Sequence, residues 1–346
     1  MITKKNIREL KLEELINFLK NQNIPSYRAK QIHEWLWKKR AVNFNEMTSL
    51  SLSLRDLLEQ NFSLNAVKIH KAERSNDGTI KYSLKLHDSK LVEGVLIPSK
   101  KRLTACISSQ VGCSLSCTFC ATGTLKLERN LNYTEIYDQI FILNEEALLN
   151  FGKPLSNIVY MGMGEPLLNY ENLLKSIELV SSKNGLSMSP KRITVSTAGI
   201  AKMIKKLADD EVRFNLAISL HSSDDKKREE IMPINKSINL EELKESIKYF
   251  FEKTGTRITY EYILFKDIND SLDDAHELVK FCKSTPCKVN LIEYNSVDNI
   301  PFQKASNNKT EKFINFLNEK NVIVNLRRSK GKDINAACGQ LVNKLK

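Results

Sequence analysis

Three cysteines within eight positions, Cys113, Cys117 and Cys120 in "CSLSCTFC", stand out among the seven in this chain of 346 residues. Their C-x3-C-x2-C spacing puts three thiols in one short loop. Three thiolates can hold three irons of a cubic iron–sulfur cluster and leave the fourth iron open to a ligand. The alternatives are a zinc site and inert buried thiols. Structural zinc ordinarily takes a fourth Cys or His. None of His33, His70, His87, His221 and His276 lies at zinc-finger spacing from the trio. Cys106 precedes the trio and reads locally as an inward-facing strand residue. Cys338, in "AACGQL", reads by residue type as a small buried hydrophobe, and Glu93, in "VEGVLIP", as a solvent-facing strand position. Cys282 and Cys287 in "CKSTPC" fit no chemistry and read as incidental.

The elements that must position these groups follow from hydrophobic periodicity. Beyond residue 102, β-rich apolar runs alternate with amphipathic helices. The runs are "RLTACISS", "NIVYMGM", "RITVST", "FNLAISL", "RITYEYIL" and "KVNLIEYN", with a seventh, "VIVNLRR", after the last helix. Helices are expected near 133–150, 169–183, 200–209, 239–253, 271–284 and 308–320. Strict βα alternation predicts an α/β fold with a parallel sheet. Six repeats fit a partial (β/α)6 barrel better than a complete eightfold one. Chemically distinct residues fall at strand ends: the trio after the first strand, Gly164 and Glu165 after the second, Ser196 on the third, Ser219 and His221 on the fourth, Asn295 on the sixth. Ligand sites in parallel β/α folds gather at the carboxyl ends of strands, so these groups are expected to face one mouth.

Upstream, the first seventy or so residues read as helical, with Leu12, Leu15, Ile16 and Leu19 on one face. Residues 74–110 switch to period two, broken by "NDG" and "HDSK" turn signals. Net charge is +12, and both ends are basic: residues 1–102 hold 20 Lys and Arg against 11 Asp and Glu, and residues 321–346 hold 6 against 1. Clustered positive charge suits a polyphosphate partner, and also suits a lysine-solvated surface. The "RRSKG" run before Cys338 is read as RNA-facing or as a solvated charge run. No stretch approaches the length of a membrane span, and the N-terminal "MITKKNIRELKLEELINFLK" is charged at helical spacing, unlike a signal peptide. A cytoplasmic protein without membrane association is expected, in which thiols serve metal binding or catalysis more readily than a disulfide scaffold.

Phe119 supplies an aromatic just before the last cysteine of the trio, and the pattern resembles the cluster motif of the radical S-adenosylmethionine (SAM) superfamily. The segments "ISSQVGCSLSCTFCATG", "RNLNYTEIYDQI", "MGMGEPLLN", "STAGI", "ISLH", "MPIN", "VNLIEYN" and "GKDINAACGQL" occur in the order seen in the adenine-C2 RNA methyltransferases, which modify 23S rRNA and tRNA. The resemblance spans nearly the whole chain and is strongest over 93–340. It implies a helical accessory RNA-binding domain over 1–73, a β-rich linker over 74–101, and a radical SAM core over 102–346 ending in a catalytic loop.

An adenine C2–H carbon is too weak a nucleophile to take a methyl group from a sulfonium, which is why such a reaction needs radical chemistry. The resemblance implies one [4Fe-4S] cluster with an open iron, held by Cys113, Cys117 and Cys120, and two SAM molecules per turnover. One methylates Cys338, and the radical from the other removes hydrogen from that methyl. The thiomethylene radical then adds to adenine C2. Cys106 is implied as the thiol that resolves the adduct through a transient Cys106–Cys338 disulfide, and Glu93 as the acceptor of the C2 proton. Gly164, Glu165, Ser196, Ser219, Leu220, His221 and Asn295 match cofactor-contact positions. The implied partners are 23S rRNA, tRNA and an electron donor such as flavodoxin, with the chain a monomer. The rival readings are a C8-methylating enzyme of the same kind and a non-catalytic, metal-stabilised RNA-binding protein.

Overall fold

A computed structural model describes residues 4–342; residues 1–3 and 343–346 of the expected first and last segments lie outside the described residues. The N-terminal region forms three helices, α1 (Leu12–Asn21), α2 (Tyr27–Trp37) and α3 (Leu52–Asn61). Their inward stripes, Leu15 and Leu19, Ile32 and Leu36, Leu54 and Leu58, recur every four residues and are buried together. Leu12, expected on the same face, is exposed, because it sits at the first helical position with no neighbouring turn to cover it.

The helical region ends sooner than residue 73. Strands β1 (Lys68–Arg74), β2 (Ile80–Lys85) and β3 (Leu91–Pro98) form an antiparallel meander, so the expected boundary at 73/74 falls inside β1. This meander is no detached linker: β3 pairs antiparallel with β4 (Leu103–Cys106) and extends the main sheet. From β4 the pairing is parallel through β5 (Asn157–Tyr160), β6 (Ile193–Thr197), β7 (Asn215–Ser219), β8 (Ile258–Leu264), β9 (Cys287–Glu293) and β10 (Val324–Arg327). The result is one ten-stranded sheet whose order follows the chain.

Helices α4 (Tyr133–Phe151), α5 (Tyr170–Ser181), α6 (Ala201–Asp209), α7 (Asp225–Ile231), α8 (Leu240–Thr254), α9 (Leu272–Cys282) and α10 (Asn307–Glu319) connect the parallel strands. Six β/α units and a seventh strand make a partial barrel, as the periodicity predicted; the short α7 was not foreseen. Every residue of β8 is buried, Thr259 and Glu261 included, as in a parallel strand covered on both faces. Helix ends obey their caps. Asn132 accepts from the Glu135 N–H at the start of α4, with Glu135 reaching back, and Gly152 closes that helix at φ 66°. Among the described residues no helix is long and apolar enough to cross a membrane.

A buried ionic joint ties the N-terminal helices to the core. Arg8 Nη1 donates to Asp138 Oδ1 at 2.7 Å, Arg40 Nε to the same oxygen at 3.1 Å, and the Val67 N–H to Oδ2 at 2.9 Å. The Arg8 and Asp138 side chains are both fully buried. Removing one member leaves an uncompensated charge inside, so Asp138→Ala should destabilise the protein by about 3–5 kcal/mol. Urea unfolding checks this; a loss below about 1 kcal/mol would mean that water reaches the joint.

Candidate active site

The loop after β4 carries the cysteine trio. A two-residue ladder, Gln110–Val111 against Arg129–Asn130, ties its ends together. Inside it Cys120 N donates to Cys117 O at 3.2 Å, Thr118 N to Ile231 O at 3.0 Å, and Ala121 N to Gly339 O at 2.7 Å. A Cβ on Gly123 would lie 2.5 Å from Cys117 O, so only glycine lets the loop fold this tightly. Cys113, Cys117 and Cys120 line a cavity of about 160 Å³. Among the described residues no three His, Cys, Asp or Glu side chains converge where a single ion would sit. Three soft thiol donors lining one cavity suit the ligation of an iron–sulfur cluster. Burial pushes the Cys113 thiol up to about 11 and raises Cys117 and Cys120, and Cys113 and Cys120 add their charges to Cys117. Iron at these sulfurs would offset that cost by deprotonating them outright.

The other strand ends converge on the same cavity. Gly164, Glu165, Ser196, Ser219 and His221 line it. Gly164 has φ 94°, and a Cβ there would meet the Gln110 side chain at 2.5 Å. Glu165 is buried, and its carboxylate is already engaged: Oε1 accepts from Leu167 N at 3.0 Å and Oε2 from Ala198 N at 2.8 Å. Burial raises its pKa against those bonds. Ser196 Oγ and Ser219 Oγ lie 3.4 Å apart.

His221, at φ 56°, accepts from Ile263 N through Nδ1 at 3.1 Å, and burial drives its pKa down to about 3, so the ring is neutral with its proton on Nε2. It is the satisfied turn histidine that its residue type suggests, with Phe119 edge-on against it at 4.9 Å. Leu220 does not line this cavity. Its N–H donates to Glu261 O, and its carbonyl accepts from Arg228. Asn295 sits behind Cys338, donating to its carbonyl at 3.2 Å, while the buried Oδ1 has no partner.

Cys106 and Cys338 line one further cavity, of about 130 Å³, that shares Cys120, Thr122, Met161 and Gly339 with the first. Cys106 is buried on β4. Cys338, in the loop after β10, is exposed and lines both cavities. Burial and the charge of Cys338 push the Cys106 thiol up to about 12, and burial also raises Cys338. Arg327 faces both thiols and opposes both shifts; its Nη1 donates to Glu261 Oε2 at 3.0 Å. Within "RRSKG", Arg327 is half-buried and pairs with the buried Glu261, and Arg328 is exposed. Glu93 opens instead onto a larger cleft of about 500 Å³ beside His70, Lys71, Lys81 and the C-terminal segment. Cys282 ends α9 and Cys287 starts β9, at the opposite end of the sheet from the trio, consistent with an incidental pair.

The "NDG" turn does more than reverse the chain. Asp77 Oδ2 accepts from Gly331 N at 2.9 Å, and Asp333 accepts from Ser75 Oγ at 2.5 Å and Asn76 N at 3.0 Å. The hairpin between β1 and β2 thereby clasps the loop that carries Cys338. Burial works against the Asp77 charge, but bonds from Thr79 and the Gly331 N–H outweigh it and hold the carboxyl at about 2. That lies below the ~3.9 of an unfolded aspartate, so the clasp is at full strength above about pH 4 and is lost only as pH falls through about 2. Asp77→Ala should speed amide exchange at Gly331 by roughly tenfold or more at neutral pH. Unchanged exchange by mass spectrometry would mean that the loop is held elsewhere.

Sequence reasoning missed Arg228, Arg327 and Glu261. Arg228 is fully buried, donating to Asn235 Oδ1, Leu220 O and Ala198 O at 2.7, 3.1 and 2.6 Å, and it ties the ends of β6 and β7 together. Burial lowers its pKa to about 10. In "DKKREEI" it looks like one of a solvated charge run, and only the adjoining "MPIN" hints otherwise.

Comparison with known proteins agrees with this architecture. Residues 107–282 match the Radical SAM superfamily, and residues 5–64 match the ribosomal RNA large subunit methyltransferase N-terminal domain. The chain is 54% identical to a probable dual-specificity RNA methyltransferase RlmN of Christiangramia forsetii, covering 99% of this chain and 97% of that one. It is 55% identical to the protein of the same description in Cytophaga hutchinsonii, covering 99% and 94%. The crystal structure of a radical SAM methyltransferase from Sphaerobacter thermophilus superimposes with TM-score 0.92 at 36% identity, over 98% of this chain and all of that one. With a cysteine loop at the mouth of a partial barrel, an N-terminal domain of the matching kind and relatives of this closeness along its whole length, the chain belongs to the RlmN family of radical SAM RNA methyltransferases.

Proposed function

We propose that this enzyme methylates C2 of adenine 2503 in 23S rRNA and of adenine 37 in tRNAs, with Cys338 as methyl carrier, Cys106 as resolving thiol and Glu93 as proton acceptor. The observation that carries the reading is the shared cavity: Cys106 and Cys338 line it together, and it adjoins the one lined by Cys113, Cys117 and Cys120. When bound, a [4Fe-4S] cluster on the trio with SAM at its open iron supplies both the methyl group and a hydrogen-abstracting radical, at two SAM per turnover.

The chain's own residues do the rest. Gly164, Glu165, Ser196, Ser219 and His221 wall the cofactor side, where Glu165 and neutral His221 order the backbone around it; Leu220 and Asn295 act through backbone and amide groups behind that wall. Cys338 accepts the methyl, loses one hydrogen atom from it and bonds through it to C2, and the unpaired electron of the adduct would return to the cluster that the trio holds. Glu93 takes the C2 proton. Cys106 then attacks the Cys338 sulfur; the methylene carbon leaves with the bonding pair and takes a proton to become the product methyl, and a disulfide remains. The basic helical N-terminal region supplies RNA affinity, the meander of β1–β3 joins it to the core and contributes Glu93, and the rest of the chain carries the other catalytic groups of a monomer fed by a flavodoxin-like electron donor.

Anaerobic turnover with trideuteromethyl SAM on synthetic rRNA and tRNA fragments tests this. Protein whose Cys338 was methylated during expression should first release 2-methyladenosine with no deuterium, and afterwards product carrying two. An intact labelled methyl in the first product, or 8-methyladenosine alone, overturns the reading.

A further inference from the structure

Lys81 is an uncommon side chain for a sheet interior. The residue is 8% exposed, and its ammonium lies 3.6 Å from Glu93 Oε1 and 3.4 Å from Glu73 Oε2. Register explains the meeting. Lys81 pairs with Glu73 on β1 and with Val95 on β3, Ser83 pairs with Glu93, and Val95 pairs with Cys106 on β4. Directly paired residues, and residues two apart on one strand, point to one face of a sheet. Glu73, Lys81, Glu93 and Cys106 therefore share a face, in two adjacent rows.

The two acids are not equivalent partners. The Glu73 side chain is 36% exposed, whereas that of Glu93 is 9% exposed. Water screens the first pair, and the second is the one removed from solvent. The Glu93 carboxylate is fixed at both ends, because Oε2 accepts from the Val342 N–H at 2.8 Å while Lys81 faces Oε1. We propose that Lys81 is a positioning residue for the adenine proton acceptor: its ammonium holds Glu93 in place and in charged form, ready to take the C2 proton. The inference rests on the reading of Glu93 as that acceptor.

Several groups face Glu93. His70, Lys71 and Glu73 come from β1, Lys81 and Ser83 from β2, Asp298 from the loop after β9, and the Val342 N–H from the C-terminal segment; Cys106 lies on the neighbouring row. Burial raises the Glu93 carboxyl, Lys81 and the Val342 N–H pull it down, and Glu73 pushes it up. Without Lys81, one backbone N–H would stand against burial and the Glu73 charge. The carboxyl would then hold its proton to higher pH and be a poorer proton acceptor.

Release of the C2 deuteron from 2-deuterated RNA, a step that precedes the attack by Cys106, followed from pH 6 to 9 in single turnovers of cluster-loaded, Cys338-methylated holoenzyme, separates this from a purely structural role. The expected result for Lys81→Met is an upward shift of the pH midpoint by about one to two units, with about tenfold or more slower release near pH 7. Lys81→Arg should restore the wild-type midpoint. Glu73→Gln, at a half-exposed site, should move the midpoint downward, and it keeps the test decisive if a neutral residue at 81 prevents folding. An unmoved midpoint in loaded Lys81→Met or in Glu73→Gln overturns the role of Lys81. Wild-type release from Glu93→Gln instead overturns Glu93 as the acceptor; blocked release there with an unmoved Lys81→Met midpoint overturns Lys81 alone.

Discussion

Cys338→Ala protein should assemble its cluster and cleave SAM, yet methylate RNA more than about a hundredfold more slowly than wild type. Loss of a covalent carrier removes the route itself, and such losses are among the largest that single substitutions cause. The geometry says why the fold should survive. Cys338 sits in a loop held by others: Asn295 bonds its carbonyl, Gly339 O accepts from Ala121 N, and Gln340 Nε2 donates to Ser296 O at 2.8 Å. Its side chain lines the cleft and ties no other element of the fold in place. Iron and sulfide content, deoxyadenosine formation and RNA methylation, measured on one preparation, check the separation. Normal methylation by the variant would remove Cys338 from the chemistry, and loss of iron would make it part of the cluster site.

Cys106→Ala should have the opposite signature, with the methylene already on the RNA and the product unable to leave. The expected species is a covalent protein–RNA adduct through Cys338, visible as a slow band in denaturing gels and as a modified peptide by mass spectrometry. The argument is again one of position. β4 places the Cys106 sulfur in the cavity it shares with Cys338, and the Arg327 cation opposes the upward shift of both thiols. Thiolate is the attacking form. With burial holding that thiol up to about 12, resolution by wild-type protein should accelerate as pH rises through the neutral range, since each unit below the pKa costs about tenfold in thiolate. Free methylated RNA at normal yield from Cys106→Ala would refute its assignment.

Some of this site was readable before any fold was known. The trio was legible because its three ligands are consecutive in one loop, so spacing alone carries the pattern. The strand ends were legible because hydrophobic alternation marks where each strand stops: Glu165, Ser196, Ser219 and His221 do meet at one cavity. Cys106, Cys338 and Glu93 were different. By residue type each had an ordinary explanation, and only the order of motifs along the chain raised them above it. Arg228 and Arg327 were invisible in the same way, since an arginine in a charge run is told from a solvated one only by the carbonyls or carboxylate that surround it.

Amino-acid order alone, then, decides what is local: six β/α repeats, a loop of three closely spaced thiols, glycine where Gly164 and Gly123 leave no room for a Cβ, and a basic helical N-terminal region. Periodicity and spacing act between near neighbours, and near neighbours are what a sequence displays. The fold decides what is distant. It brings Cys106 and Cys338, more than two hundred residues apart, into one cleft. It makes the meander an extension of the core sheet and lets its hairpin grip the loop after β10. It turns Lys81 from a surface lysine into the buried partner of Glu93. Each depends on sheet register and burial, which arise when strands pair and water leaves, and no single segment of the chain encodes either.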